Sequence, residues 1–226
     1  MHIEPAIRQV YALAYSGSSH KCPVCNKKLS KFITLPNGNL LCPKCGSLNR
    51  DRRLWRILTS GFLKNGIKIL DFSPSRSLSR KMKKQQGLVY MSTDLSGHFL
   101  SDFQFDITNI NLEDNFFELI ICYHILEHIE NDTTAMAELL RVLKPGGNVI
   151  IQTPFKEGDI YEDFTITSPE ERLKHFLQDD HVRIYSVSGL KARLENAGFS
   201  VTADVYPEDK YYGLLNNETV LIATKA

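Results

Sequence analysis

No apolar run in the 226 residues approaches the roughly 20 needed to span a bilayer, which excludes an ordinary membrane-spanning helix. The opening residues also lack a basic n-region. The opening MHIEPAIRQVYALAYSG places Glu4 and Pro5 early, and it is expected to form a short amphipathic helix rather than an export signal. The expected compartment is then the reducing cytoplasm, where five cysteines are thiols or metal ligands rather than disulfides. Acids are scarce at first: residues 1–70 hold twelve Lys/Arg against Glu4 and Asp51. The rest holds fifteen basic and twenty-four acidic residues, so a net charge of +1 conceals a basic N-terminal part joined to an acidic body. Either the two parts meet different partners or they neutralise each other where they touch. Hydrophobic residues at 42% and charged residues at 23% exclude a disordered chain. The length suits one α/β domain with a small appendage, divided here into 1–60 and 61–226.

What cysteine there is lies mostly in one pattern. Cys22-Pro-Val-Cys25 and Cys42-Pro-Lys-Cys45-Gly46 are separated by sixteen residues. Two such turns can aim four thiolates at one point, the donor set of a structural Zn²⁺ ribbon; four thiolates leave no position for a catalytic water. Between them, Phe32-Ile33-Thr34-Leu35, a turn at Pro36-Asn37-Gly38-Asn39 and Leu40-Leu41 are expected to form a hairpin. So short a segment buries too little to fold without a metal. Cys122, in an apolar run, is expected to be a buried thiol. After the ribbon, SLNRDRRLWRILTSGFL reads as a helix capped by Ser47, with Leu54, Trp55, Ile57 and Leu58 toward a core. Arg50, Arg52, Arg53 and Arg56 lie on its other faces, either to bind phosphate or to solvate the helix and pair with acids.

From residue 66 short apolar runs alternate with helical stretches: IKILDF, LVYMSTDL, FELIICYHIL and NVIIQTPF, then SVTADVY and ETVLIATK. This is the pattern of a parallel sheet covered on both faces. His124-Ile125-Leu126-Glu127-His128-Ile129 and Leu143-Lys144-Pro145-Gly146-Gly147 follow in order. With these segments, residues 66–226 resemble the class I methyltransferases that use S-adenosyl-L-methionine. The resemblance implies a doubly wound, Rossmann-like α/β fold with a seven-stranded, mostly parallel sheet whose final hairpin inserts one antiparallel strand.

It also implies a cofactor site at the carboxyl ends of the strands. Asp71 ends the first strand, and Asp94, 23 positions on, is placed to accept the ribose hydroxyls, with Leu95 beside it. Asp106-Ile107 resembles the family's adenine contact, and Tyr123 ends a further strand at the same edge. Where the family carries glycines after the first acid, this chain has Ser73 and Ser75. Serine at a positive φ costs about 1 kcal/mol or more, so the loop is expected to take ordinary dihedrals or to displace the cofactor.

Methyl transfer from a sulfonium asks mainly for alignment, plus a base where the acceptor is protonated. His181, in HFLQDDHVRIYS, is the leading candidate, with His124 and Tyr123 behind it; Arg183 and Tyr185 are expected to fix its loop. Glu127 and His128 are expected to open the next helix, where they are further candidates or equally packing or cap residues. The leading acceptor is a small molecule or glycan. The alternatives are an RNA base held by the basic ribbon, and a non-catalytic adaptor with a vestigial cofactor fold.

Overall fold

Among residues 5–97 and 101–226, which the computed structural model describes, the chain divides into two units. The first takes the residues up to Gly66 together with Ser75–Leu88 and Tyr206–Glu218. The second takes Ile67–Pro74, Val89–Val205 and Thr219–Ala226. The first four residues of the expected N-terminal helix lie outside the described residues.

In the first unit α1 (Pro5–Ala14) leads into β1 (Ser16–Lys21), which pairs antiparallel with β2 (Lys28–Leu29). β3 (Ile33–Thr34) and β4 (Leu40–Leu41) form the expected hairpin, with Ile33 opposite Leu41 and Thr34 opposite Leu40. α2 (Asn49–Ile57) buries Leu54, Trp55 and Ile57 as its apolar spacing requires. Its cap is not Ser47. Leu48 stands at the N-cap, and the Asp51 carboxylate accepts the Leu48 N–H at 2.9 Å, while the Ser47 hydroxyl faces the cysteines. α3 (Arg76–Met82) is capped by Ser75, whose Oγ accepts the Leu78 N–H at 3.3 Å.

The arginines of α2 hold the 206–218 segment. Arg52, fully buried, donates to the carbonyls of Ser47, Leu40, Tyr212 and Gly213 at 2.6–3.0 Å. Its guanidinium also lies 4.1 Å from the Phe32 ring centre. Gly213 sits at φ +63°, and a Cβ there would lie 2.4 Å from the Phe32 ring, so only glycine lets the backbone come this close. Arg53 donates to Glu218 Oε2 at 3.1 Å and to the carbonyls of Pro207 and Leu215. Arg56 pairs with Asp209 at 3.5 Å and lies over Tyr212. Arg53 and Arg56 pair with acids, as one of the two readings expected, while the fully buried Arg52 bonds backbone carbonyls, which neither reading foresaw.

The second unit carries the large sheet. β5 (Lys68–Phe72), β6 (Val89–Thr93), β7 (Phe117–Tyr123) and β8 (Leu143–Gln152) pair in parallel, with β6 beside β5, β5 beside β7 and β7 beside β8. The turn between β7 and β8 is followed by α4 (Asp132–Val142), capped by Asn131. Glu127 and His128 do not open that helix; they lie in a separate 3₁₀ turn, Leu126–His128. A small sheet joins β9 (Phe155–Lys156) and β10 (Tyr161–Glu162) to the two sides of β11 (Arg183–Ser186), with α5 (Pro169–Phe176) in the intervening stretch. α6 (Val187–Asn196) then leads to β12 (Phe199–Tyr206) and β13 (Glu218–Lys225). β13 lies between β12 and β8 and runs antiparallel to β8, the single reversed strand expected.

The fold is thus a Rossmann-like mixed α/β sheet, but among the described residues it has six strands in the order β12-β13-β8-β7-β5-β6, not seven. Next to β6 there is only an isolated parallel bridge, Thr93 to Phe103. The Asp102 carboxylate accepts the Ser92 hydroxyl at 2.7 Å and sits 3.4 Å from the Ser92 N–H, so a side chain takes a place that a strand's carbonyl would fill. Residues buried from both faces, among them Leu70, Ile120, Cys122, Val149, Leu139 and Leu190, form the core and fix the strand ends on which polar groups stand. Burial pushes the Cys122 thiol well above its ordinary value, in keeping with an inert core residue.

Candidate functional site

Four cysteines of the first unit converge. Cys22 Sγ lies 3.7 Å from Cys45 Sγ, and Cys25 Sγ lies 3.8 Å from Cys42 Sγ. Sulfurs bound tetrahedrally at about 2.3 Å to one ion stand about 3.8 Å apart, so the donor set fits a tetrahedral metal. Hydrogen bonds from Cys25, Cys42 and Cys45 draw the Cys22 thiol down, and contact with Cys22 pushes the other three up. Ser47 Oγ adds contacts at 3.3 Å to Cys22 and 3.2 Å to Cys45, an outer partner of the kind that orients metal-binding thiolates.

In the second unit the carboxyl ends of β5 and β6 bring together Asp71, Ser73 and Asp94. Asp71 is buried and accepts the Tyr90 hydroxyl at 2.8 Å. Ser73 does adopt a positive φ, +45°, against the expectation of ordinary dihedrals. Its N–H donates to the Thr93 carbonyl at 2.7 Å, and its hydroxyl donates to Asp94 Oδ1 at 2.7 Å, which together offset the strain. Ser96 donates to the other oxygen, Oδ2, at 2.9 Å. Asp94, only 3% exposed, therefore holds one hydroxyl on each oxygen. Leu95 beside it is exposed. Asp106 is exposed and accepts the N–H and hydroxyl of Thr108 at 2.8 and 2.7 Å, while Ile107 is in the core. Ser75 belongs to the first unit, as the cap of α3.

A second cluster follows the carboxyl ends of β7 and β8. Tyr123 is the last residue of β7 and pairs with Gln152. His124 has φ +56°, donates its N–H to the Gln152 carbonyl, and sets Nδ1 3.2 Å from Glu127 Oε1. His181, only 3% exposed, directs Nδ1 to the Phe176 carbonyl at 3.2 Å and packs edge-on against His128, with ring centres 4.6 Å apart. His128 Nδ1 lies 3.3 Å from Asp180. Among the described residues, His124 Nε2, Glu127 Oε2, Gln152 Oε1, Thr153 Oγ1 and His181 Nε2 are buried without a hydrogen-bond partner. Buried polar groups are normally satisfied, and a group of orphans marks a place where something else binds.

The cluster is held from behind. Arg183, fully buried, donates to the carbonyls of Leu126, Ile129 and Glu130 and to Glu162. Tyr185 donates to Asp132, which also accepts from Arg193. The expected role of Arg183 and Tyr185 in fixing the His181 segment is what these contacts do, with the Val182 N–H bonded to the Glu127 carbonyl at 2.9 Å. Burial, then the neighbouring His128, pushes the His181 imidazole below its ordinary value. Burial alone would raise the Glu127 carboxyl, but His124 and His128 outweigh it and hold it low. Sequence reasoning underrated Glu127 and His128. Their spacing from His124, three and four residues, is the signal that could have joined them on one turn.

A family model described as a methyltransferase domain matches residues 48–204. Among solved structures, a methyltransferase dependent on S-adenosylmethionine from Archaeoglobus fulgidus is 16% identical, with a TM-score of 0.57, over 80% of this chain and 95% of that one. A phosphoethanolamine N-methyltransferase of Haemonchus contortus, solved with S-adenosyl-L-methionine, is 16% identical with a TM-score of 0.55, over 78% of this chain and 52% of that one. The [4+2]-cyclase SpnF is 17% identical with a TM-score of 0.55, over 77% of this chain and 81% of that one. No curated protein sequence matches this chain.

Proposed function

Since this chain belongs to the methyltransferase-domain family and is an S-adenosylmethionine-dependent methyltransferase, we propose that it methylates a hydroxyl or similar protonated group of a small-molecule or glycan-type acceptor. The observation that carries this reading is the buried, unpartnered Nε2 of His124 beside Glu127. Glu127 accepts from Nδ1, so Nε2 is left with its lone pair, as in other carboxylate–histidine pairs that take a proton. His181 is second to His124 as proton acceptor, because its Nε2 lies among Glu127 and His128 rather than alone.

Bound S-adenosylmethionine supplies a methyl group on a cationic sulfur, which leaves as a neutral thioether. With the cofactor bound, the acceptor oxygen would take that methyl group, and His124 Nε2 would receive the oxygen's proton. Asp94 fits the cofactor's ribose, since its two oxygens already hold two hydroxyls, from Ser73 and Ser96, that a vicinal diol can replace. Asp71, Leu95, Asp106, Ile107 and Tyr123 complete the proposed cofactor surface. The Cys₄ cluster is proposed to hold a structural zinc. Arg52 and Arg53, being consumed inside the first unit, support a small acceptor over RNA.

The test is transfer of tritiated methyl from S-adenosylmethionine into fractionated cell extract. Label is expected in the small-molecule and glycan fraction. Label confined to RNA would replace the acceptor class, and no cofactor binding at millimolar concentration would remove the reading altogether.

A further inference from the structure

We propose that Glu127, His128 and His181 form a binding site for a divalent transition-metal ion, whose open positions take an oxygen of the methyl acceptor beside His124. The second half rests on the methyl-transfer reading above; the metal site itself does not. Ligand-capable atoms of these three residues lie within 4.8 Å of one another. Glu127 and His181 are 1% and 3% exposed.

The hydrogen bonds decide what each atom offers. A carbonyl can only accept, so His181 Nδ1, 3.2 Å from the Phe176 oxygen, carries its proton, and Nε2 is a bare lone pair. Among the described residues that Nε2 has no hydrogen-bond partner. Asp180 likewise accepts from His128 Nδ1 at 3.3 Å, which leaves the lone pair on His128 Nε2. His124 occupies Glu127 Oε1, and among the described residues Oε2 has no partner. Two buried acceptors, Glu127 Oε2 and His181 Nε2, are therefore left without a donor hydrogen beside the His128 ring. Acceptors facing acceptors in a buried place repel, and a cation reconciles them.

The outer partners match a metal site. Metal-binding histidines almost always give their other nitrogen to a carboxylate or a backbone carbonyl, and here His128 has the first and His181 the second. Two imidazoles and one carboxylate suit zinc or iron(II) and leave positions open. Nitrogen–metal bonds of about 2.0–2.1 Å require the widest pair to close by about an ångström. His128 is part-exposed and its partner Asp180 is exposed, so these two side chains can make that movement. An ion here would polarise a bound hydroxyl and lower its proton's affinity, while His124, tied to the same carboxylate, receives it.

The experiment uses the full chain with its cysteine site loaded with zinc, titrated with Co²⁺ by calorimetry and visible absorption. One Co²⁺ per chain is expected, with weak d–d bands and no thiolate-to-cobalt charge-transfer band. His181→Ala and Glu127→Gln should weaken binding at least about 100-fold, and Asp180→Asn, which changes only the exposed outer partner, about 10–100-fold. S-adenosylhomocysteine affinity, measured on every variant, reports folding and the cofactor reading separately. No Co²⁺ uptake by a wild type that binds S-adenosylhomocysteine overturns the metal site alone, and points to a shared proton instead. Uptake unchanged in Asp180→Asn and Glu127→Gln, or a charge-transfer band showing exchange at the cysteines, also overturns it. Co²⁺ binding without cofactor binding supports the metal site and removes the methyl-transfer reading.

Discussion

Asp94 holds its two hydroxyls at 2.7 and 2.9 Å, one from Ser73 at the end of β5 and one from Ser96 two residues on. Replacing them by a diol exchanges like for like, so the cofactor's hydroxyls lose little on entering. Losing a charged acceptor costs about 1.5–3 kcal/mol. Asp94→Ala should accordingly lower S-adenosylmethionine affinity about tenfold or more by calorimetry; an unchanged affinity would place the ribose elsewhere. His124 tests the chemistry rather than the binding. His124→Ala should slow single turnover about 100-fold, with cofactor affinity within a few-fold of the wild type. A rate equal to the wild type's would move the proton acceptor to His181.

At the scale of elements, the two C-x-x-C turns, the hairpin of β3 and β4 and the start of α2 make a module with few buried apolar side chains of its own. Cys22, Val24, Leu29, Phe32 and Cys42 are buried, and two of these five are metal-binding candidates. A bound ion then supplies folding free energy directly. Protein purified without added metal should contain one zinc per chain from this module. Cys22→Ser should lower that content and loosen the first unit in hydrogen exchange. A zinc content near zero, unaffected by the substitution, would refute the structural zinc.

At the scale of the molecule, two carboxylates are held low by arginine. Arg141 draws the Glu138 carboxyl down; at Glu162 burial would raise it, but Arg193 and Arg183 outweigh burial. A folded value below the unfolded one, about 4.3 for Glu, gives stability that is complete above that pH. It is lost as pH falls through the folded values. The urea midpoint should therefore decline below about pH 4.3, and Glu162→Gln, less stable at neutral pH, should show a shallower decline. Parallel declines in the two proteins would assign the acid sensitivity to other groups.

The strands, the order of elements, the hairpin between the cysteine pairs and the reversed final strand were legible in the sequence, because each follows from local apolar period and turn residues. The four-thiol constellation was legible for the same reason: its ligands come from two tight turns. Three features were not. Ser73 takes a positive φ because the Thr93 carbonyl and Asp94, distant in sequence, hold it there. Among the described residues no seventh strand lies next to β6; Asp102 and Phe103 meet it through backbone N–H groups and the Asp102 carboxylate, in an isolated bridge. The arginines of α2 read as a charged surface, yet Arg52 and Arg53 are buried, because most of the carbonyls they satisfy arrive from residues 207–215, more than 150 positions away. His181 meets Glu127 and His128 in the same way, across more than 50 residues. Local sequence determines which elements form; which polar groups end up facing one another is decided by packing, since only the folded chain brings distant donors and acceptors into the same water-poor place.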